Sequence, residues 1–175
     1  MYVDDRRLIH HGQRDRALIL TPAHTGARRS EVIGIELDDL DLAGGVVTLT
    51  KTKSGKARTI RLVDPVVQAM MIYLRHSESF RQPGVKALWL NRRGQALTPN
   101  GLSQMMERRG KQAGVKVSPH AFRRRQADLR MGKGGSEPGL MTNNGWTTTA
   151  MIRRYSKDVI TANTMAEVDR LFGDT

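Results

Sequence analysis

The chain has 175 residues, 38% hydrophobic and 26% charged, with 29 Lys and Arg against 17 Asp and Glu. That is the size and balance of one globular domain with a core of its own, and the net charge of +12 indicates a polyanionic partner, most simply nucleic acid. A chain without cysteine excludes a disulfide framework and a thiolate metal site, and it agrees with a reducing cytoplasm.

There is no run of about 18 apolar residues to span a membrane. The N-terminal stretch MYVDDRRLIHHGQ is polar and lacks a signal-peptide pattern. Basic residues are spread through the expected elements rather than gathered in a tail, which favours nucleic acid over a membrane surface. Three Phe and three Tyr are too few for an aromatic platform that stacks single-stranded bases.

Residues Arg14 to Ala23 read as a helix carrying Ala17, Leu18, Ile19 and Leu20. Gly26 permits a tight entry into a second helix, whose apolar residues are Val32, Ile33, Ile35 and Leu37. Arg28 falls near the start of that helix, where backbone N–H groups favour an anion. Arg28 and Arg29 are either part of an anion site or two solvated arginines. Asp38-Asp39-Leu40-Asp41 and Gly44-Gly45 make a turn-rich break. Val46–Thr50 and Ala57–Leu62 alternate on either side of Ser54-Gly55, as in a hairpin. Its tip carries Lys51, Lys53 and Lys56. These lysines guard a solvated edge, reach a DNA backbone or donate a proton.

Pro65–His76 reads as an amphipathic helix with Val67, Met70, Met71 and Leu74 on one face. Methionine here is core filler, and Tyr73 is a packing residue. Ala87–Leu90 is a short buried stretch with Trp89 in the core. Thr98-Pro99 opens a helix with Leu102, Met105 and Met106 inward and Arg108, Arg109 and Lys111 on its polar side. Those three are solvated or face DNA.

Ser118-Pro119 reads as an N-cap and first helical residue. His120 and Arg123 then share one helix face and can point at the same anion. Glycines 132, 134 and 135 break this helix. Glu137–Thr142 is a short helix, and Asn143-Asn144-Gly145 is a stop signal. Trp146 follows, and Thr149–Tyr155 is a short helix presenting Tyr155 beside Arg153, Arg154 and Lys157. A phenol of pKa ~10 is a poor nucleophile, and nearby positive charge favours its phenolate. His, Arg and Tyr converging on a phosphate suit phosphoryl transfer without a metal. Met165, Val168, Leu171 and Phe172 form an apolar stripe on a final helix, which packs on the chain's own core in a closed monomer.

TGARRSEV, the hairpin with its Lys-Thr pair, HAFR, and GW with a Tyr nine residues later together resemble the tyrosine recombinases, or phage integrases. The motifs occur in that family's order and approximate spacing from Thr25 to Tyr155. The resemblance implies an α+β fold, mainly helical, with a small antiparallel sheet in the N-terminal third. It implies that Tyr155 attacks a DNA phosphate to give a 3′-phosphotyrosyl intermediate. Arg28 and Arg123 would hold the non-bridging oxygens, with His120 and Trp146 on the same phosphate. Lys51, or alternatively Lys53, would protonate the leaving 5′-oxygen, and Glu31 would orient Arg28. Trp146 stands where the family often has His, and it can donate a hydrogen bond but not shuttle a proton. Arg29, Lys53, Lys56, Arg124, Arg153 and Arg154 are expected on DNA.

No cofactor or metal is implied. The partner implied is double-stranded DNA, bound by a tetramer that exchanges C-terminal helices, with a monomer free in solution. The expected location is the cytoplasm of a bacterium or of a phage host. The whole chain, 1–175, reads as one catalytic domain, with 1–13 as a linker remnant and 158–175 as a tail. The family's N-terminal DNA-clamping domain is expected to be missing. Relaxation of DNA in the manner of a type IB topoisomerase, or a catalytically silent DNA-binding module, are the rival readings.

Overall fold

The structure, a computed structural model, describes residues 5–53 and 55–172, without the side chains of residues 5–11, 119 and 153–158. The first helix, α1 (Asp5–Thr25), starts earlier than the expected Arg14 and carries Pro22 in its last turn. Five-residue α2 (Arg29–Ile33) follows directly. Strands β1 (Leu40–Asp41), β2 (Val46–Leu49) and β3 (Arg58–Arg61) form an antiparallel sheet in the order β1-β2-β3. Helices α3 (Asp64–Ser77), α4 (Pro99–Gln112), α5 (Pro119–Gly132), α6 (Glu137–Asn144) and α7 (Ala150–Phe172) complete the described residues. None of these helices is long and apolar enough to cross a membrane.

The hairpin expected around Ser54-Gly55 is β2 and β3, in the register Val47↔Ile60 and Leu49↔Arg58. Alternation sends Val47, Leu49 and Ile60 into the core. It leaves Thr48 and Thr59 opposite each other on the outer face, their hydroxyls 3.0 Å apart. The same alternation turns Arg58, two residues before Ile60, towards the protein.

Helix α1 packs along α3 and α5. The buried face of α3 is Val66, Ala69, Met70 and Tyr73, a 3–4 spacing that continues to Ser77. Val67 and Leu74 only flank it, and Met71, expected on that face, is half exposed. Adjacent Met70 and Met71 cannot both face inward on one helix, and the position of Val66 decides the phase. Tyr73 donates its hydroxyl proton to Leu88 O and accepts from Leu90 N–H, both at 2.9 Å. Trp89 stacks on its ring and donates Nε1–H to Val32 O.

Arg108 and Arg109 differ from the sequence reading. Together with Arg14 they surround the buried carboxylate of Asp15 on α1. Arg14 donates to Asp15 Oδ1 at 2.6 and 3.0 Å, and Arg109 Nε donates to Oδ2 at 2.9 Å. Arg108 stands 3.5 Å from the same oxygen. The cluster ties α4 to α1.

A second apolar cluster of Ala127, Met131, Leu140, Trp146 and Ile152 joins α5, α6 and α7. Helix α7 is continuous, where the sequence suggested a short helix and a separate tail helix. Val159 and Ile160 pack on the second cluster, and Asn163 donates to Met131 O at 2.7 Å. Beyond it the stripe of Met165, Val168, Leu171 and Phe172 is exposed.

Candidate active site

The seam between the two cores runs from Thr25-Gly26 to the C-terminal end of α6. Gly26 has φ +66°, and a Cβ there would lie 2.3 Å from Asn144 Oδ1 and 2.8 Å from Gln126 Oε1. Only glycine lets the α1–α2 turn approach α5 and α6 this closely. Gly145 caps α6 in the left-handed conformation, φ +58°. Its own Cβ would press on the Arg58 guanidinium.

Arg28 is the N-cap residue of α2, and Glu31 lies one turn later with its side chain fully buried. The Glu31 carboxylate accepts four hydrogen bonds. Arg28 supplies its backbone N–H at 2.7 Å and Nη1 at 3.0 Å. Arg58 supplies Nη1 at 3.0 Å and Nη2 at 2.8 Å. Burial alone would push the Glu31 carboxyl up. The Arg58 hydrogen bonds, the Arg28 N–H and the Arg58 charge outweigh it and hold the group below the ordinary glutamate range. Glu31 is therefore an anion at neutral pH, as an orienting partner of Arg28 requires.

Three arginines meet three consecutive carbonyls at the end of α6. Arg58 Nε donates to Asn143 O at 3.0 Å, Arg123 Nη2 to Asn144 O at 2.5 Å, and Arg28 Nη2 to Gly145 O at 3.3 Å. A helix C-terminus presents unpaired carbonyls and a partial negative charge, so it suits guanidinium groups. Arg123 also donates Nη1 to Gly26 O at 2.6 Å. Its guanidinium carbon stands 5.2 Å from the centre of the Trp146 ring, a cation–π arrangement. Asn143 donates Nδ2 to Thr25 O at 2.8 Å, and Asn144 donates Nδ2 to Gln126 Oε1 at 3.3 Å. Arg28, Glu31, Arg123 and Trp146, four residues singled out in the sequence, thus share one site.

The other candidates lie on other parts of the described fold or outside the described residues. His120 is exposed in the first turn of α5, whose N-cap Ser118 accepts from Ala121 N–H at 3.2 Å. Lys51 crosses Gly34 at the end of α2, and its ammonium meets Glu36 Oε1 at 2.5 Å. Lys53 and Lys56 are exposed on the β2–β3 loop. Arg29 donates to Ser103 Oγ at 3.2 Å, and Arg124 lies exposed on α5 beside Asp128. The side chains of Tyr155, Arg153 and Arg154 lie outside the described residues, although their positions fall within α7. Tyr73 is buried, and desolvation pushes its phenol up, so it is a packing residue and no nucleophile.

Two contributors were missed in the sequence. Arg58 had a signal: in Arg58-Thr59-Ile60-Arg61 it falls on the face of Ile60. Asn143-Asn144-Gly145 read only as a stop, and nothing local indicates that its carbonyls collect arginines.

A model of the phage integrase family matches residues 6–159. The chain belongs to that family. Over 115 residues it is 36% identical to the tyrosine recombinase XerD of Mycobacterium tuberculosis, a match covering 63% of this chain and 37% of that protein. The chain thus spans well under half the length of this curated relative. Among solved structures it is similar to the XerA recombinase, with a TM-score of 0.79 and 21% identity over 95% of this chain and 65% of that one. It is also similar to the XerH site-specific recombinase bound to a palindromic difH substrate in a post-cleavage complex, with a TM-score of 0.75 and 22% identity over 96% and 48% of the two chains. The mainly helical fold with a three-stranded antiparallel sheet is the recombinase fold.

Proposed function

We propose that this integrase-family chain is the catalytic part of a site-specific DNA recombinase. The observation that carries the proposal is the convergence of Arg28 and Arg123 on the end of α6, inside a chain of that family. Tyr155 Oη attacks the scissile phosphorus and the P–O5′ bond breaks. The products are a 3′-phosphotyrosyl link and a free 5′-hydroxyl. The Tyr155 proton passes to His120, and Lys51 or Lys53 protonates the departing oxygen. Arg28 and Arg123 stabilise the charge on the non-bridging oxygens, a role worth ~3–4 kcal/mol per donor. Trp146 packs against Arg123 and donates its indole N–H to the same phosphate. The phosphotyrosyl bond keeps the energy for religation to a new 5′-hydroxyl.

Double-stranded DNA is the proposed substrate, contacted by Arg29, Lys53, Lys56, Arg124, Arg153 and Arg154. The XerH complex, solved on its DNA substrate after cleavage, supports that reading by analogy. So does a lambda integrase dimer bound to a core site. Assembly is proposed as a tetramer on DNA that exchanges C-terminal helices, and the exposed stripe on α7 fits this arrangement. The whole chain is proposed as one catalytic domain that works with a separate DNA-clamping domain. Covalent trapping tests the reaction: a nicked suicide duplex carrying the cognate site should leave DNA attached to Tyr155. Binding without an adduct, with the clamping domain supplied, would instead make the chain a silent DNA-binding module.

A further inference from the structure

Arg58 stands at the start of β3, turned inward with Ile60. Its guanidinium makes three hydrogen bonds, two to Glu31 and one to Asn143 O. Its side chain is 11% exposed and that of Glu31 not at all, whereas that of Arg28 is 32% exposed. Arg58 is thus largely enclosed, while Arg28 retains an open side. The Glu31 carboxylate lies between them, gripped by Arg58 on one side and gripping Arg28 on the other. The remaining side-chain bond of Arg28, to Gly145 O at 3.3 Å, is long. The orientation of Arg28 therefore depends on a carboxylate whose own rotation is stopped by the two Arg58 bonds together with the single Arg28 N–H at 2.7 Å.

We infer that Arg58 is a positioning residue. It does not touch the phosphate. It fixes Glu31, and through Glu31 it fixes the guanidinium that receives the scissile phosphate. The inference rests on the proposed role of Arg28 in phosphate binding. Lysine should not replace Arg58, because one ammonium cannot make the paired bonds to both carboxylate oxygens and also reach Asn143 O. A displacement of a positioned group by about 1 Å costs on the order of 10²-fold in rate, which sets the scale of the effect.

The test is a double-mutant cycle on the rate of covalent adduct formation with a nicked suicide duplex. Protein is saturating, and the temperature is low enough that every variant is folded by circular dichroism. Arg58→Met should slow the adduct about 10- to 100-fold, leave DNA affinity within about two-fold, and resist rescue by Arg58→Lys. In an Arg28→Lys background it should add less than about two-fold. An equal slowing in both backgrounds would overturn the inference, because Arg58 would then act independently of Arg28. A second arm needs no catalysis: ¹⁵N relaxation of the Arg28 Nε–Hε group in the DNA-free protein should show loss of order in Arg58→Met, or in Arg58→Gln if the Met variant does not fold. Unchanged order would also overturn the inference. A wild-type chain that forms no adduct even with the clamping domain supplied would remove the recombinase reading, while this second arm still decides whether Arg58 holds Arg28.

Discussion

Glu31 and Arg58, 27 residues apart in sequence, meet through two parallel hydrogen bonds of 3.0 and 2.8 Å. The pair is bidentate and nearly dry, and it locks the edge of the sheet to the start of α2. Removing one partner of a buried pair leaves the other charge without compensation, at a cost of ~3–5 kcal/mol. Glu31→Ala strands two guanidinium groups, of which Arg28 is partly open to water. The expected loss is therefore near the lower end, about 3 kcal/mol. Urea unfolding should show it as a lower midpoint with an unchanged slope.

The same carboxylate makes stability depend on pH in a definite direction. Burial would raise the Glu31 pKa, but the Arg58 and Arg28 interactions outweigh it and the net shift is downward from 4.5. A group with a lowered folded pKa stabilises fully above its unfolded value and loses that contribution as pH falls through the folded one. The urea midpoint should therefore drop from about pH 5 downward, and Glu31→Gln should flatten that part of the profile. Glu36 and Glu107 are also lowered, each by a lysine hydrogen bond and charge, but Glu107 is exposed and Glu36 half-buried, each paired with an exposed lysine. Added salt should erase their share and leave that of Glu31.

The sequence exposed most of the fold and half of the site for the same reason: local pattern. Ser118-Pro119 and Thr98-Pro99 announce helix starts through capping chemistry, and both caps form. Thr25-Gly26-Ala27-Arg28 and His120–Arg123 carry the motif residues. The Asp15 cluster was not legible, because Arg108 and Arg109 meet Asp15 more than 90 residues away. Without the partner, two helical arginines look like solvent-facing charge. The α3 phase was misread at Met71 because methionine fits either side of a helix boundary between core and water.

That Asp15 cluster yields a separate prediction. Asp15 is 1% exposed with three arginines on it. Asp15→Ala should cost ~3–5 kcal/mol by stranding Arg14 and freeing Arg109 from α1. The loss should appear in thermal melting. The rate of adduct formation in the cold, per folded molecule, should stay within about two-fold, since substitutions without shared partners act independently.

Gly26→Ala tests the close approach that assembles the site. The residue would need φ +66°, a left-handed conformation costing an L-residue about 1–2 kcal/mol. Its Cβ would also displace the Asn144 and Gln126 side chains. Asn144 O and Gly26 O are the two carbonyls that hold Arg123, so the displacement reaches the arginine proposed to bind the phosphate. Adduct formation should fall by more than the stability loss explains, on the order of 10²-fold. A rate that merely tracks the folded fraction would show that Arg123 is positioned without the turn.

The choice between Lys51 and Lys53 as the proposed general acid can be made with a leaving group that needs no proton. Lys51 Nζ is held by Glu36, and the Lys51 hydrogen bond and charge hold the Glu36 carboxyl below its ordinary range. The Lys51 side chain must therefore leave Glu36 before it reaches a 5′-oxygen. Lys51→Ala should slow cleavage of an ordinary duplex by on the order of 10²-fold or more, the scale of general acid catalysis. A duplex with sulfur in place of the bridging 5′-oxygen should restore the rate, because a thiolate leaves unprotonated. Glu36→Gln should cleave at least as fast as the parent, since it frees the ammonium. Rescue by sulfur in Lys53→Ala, with none in Lys51→Ala, would move the role two residues along the loop and leave Lys51 as a strut on α2.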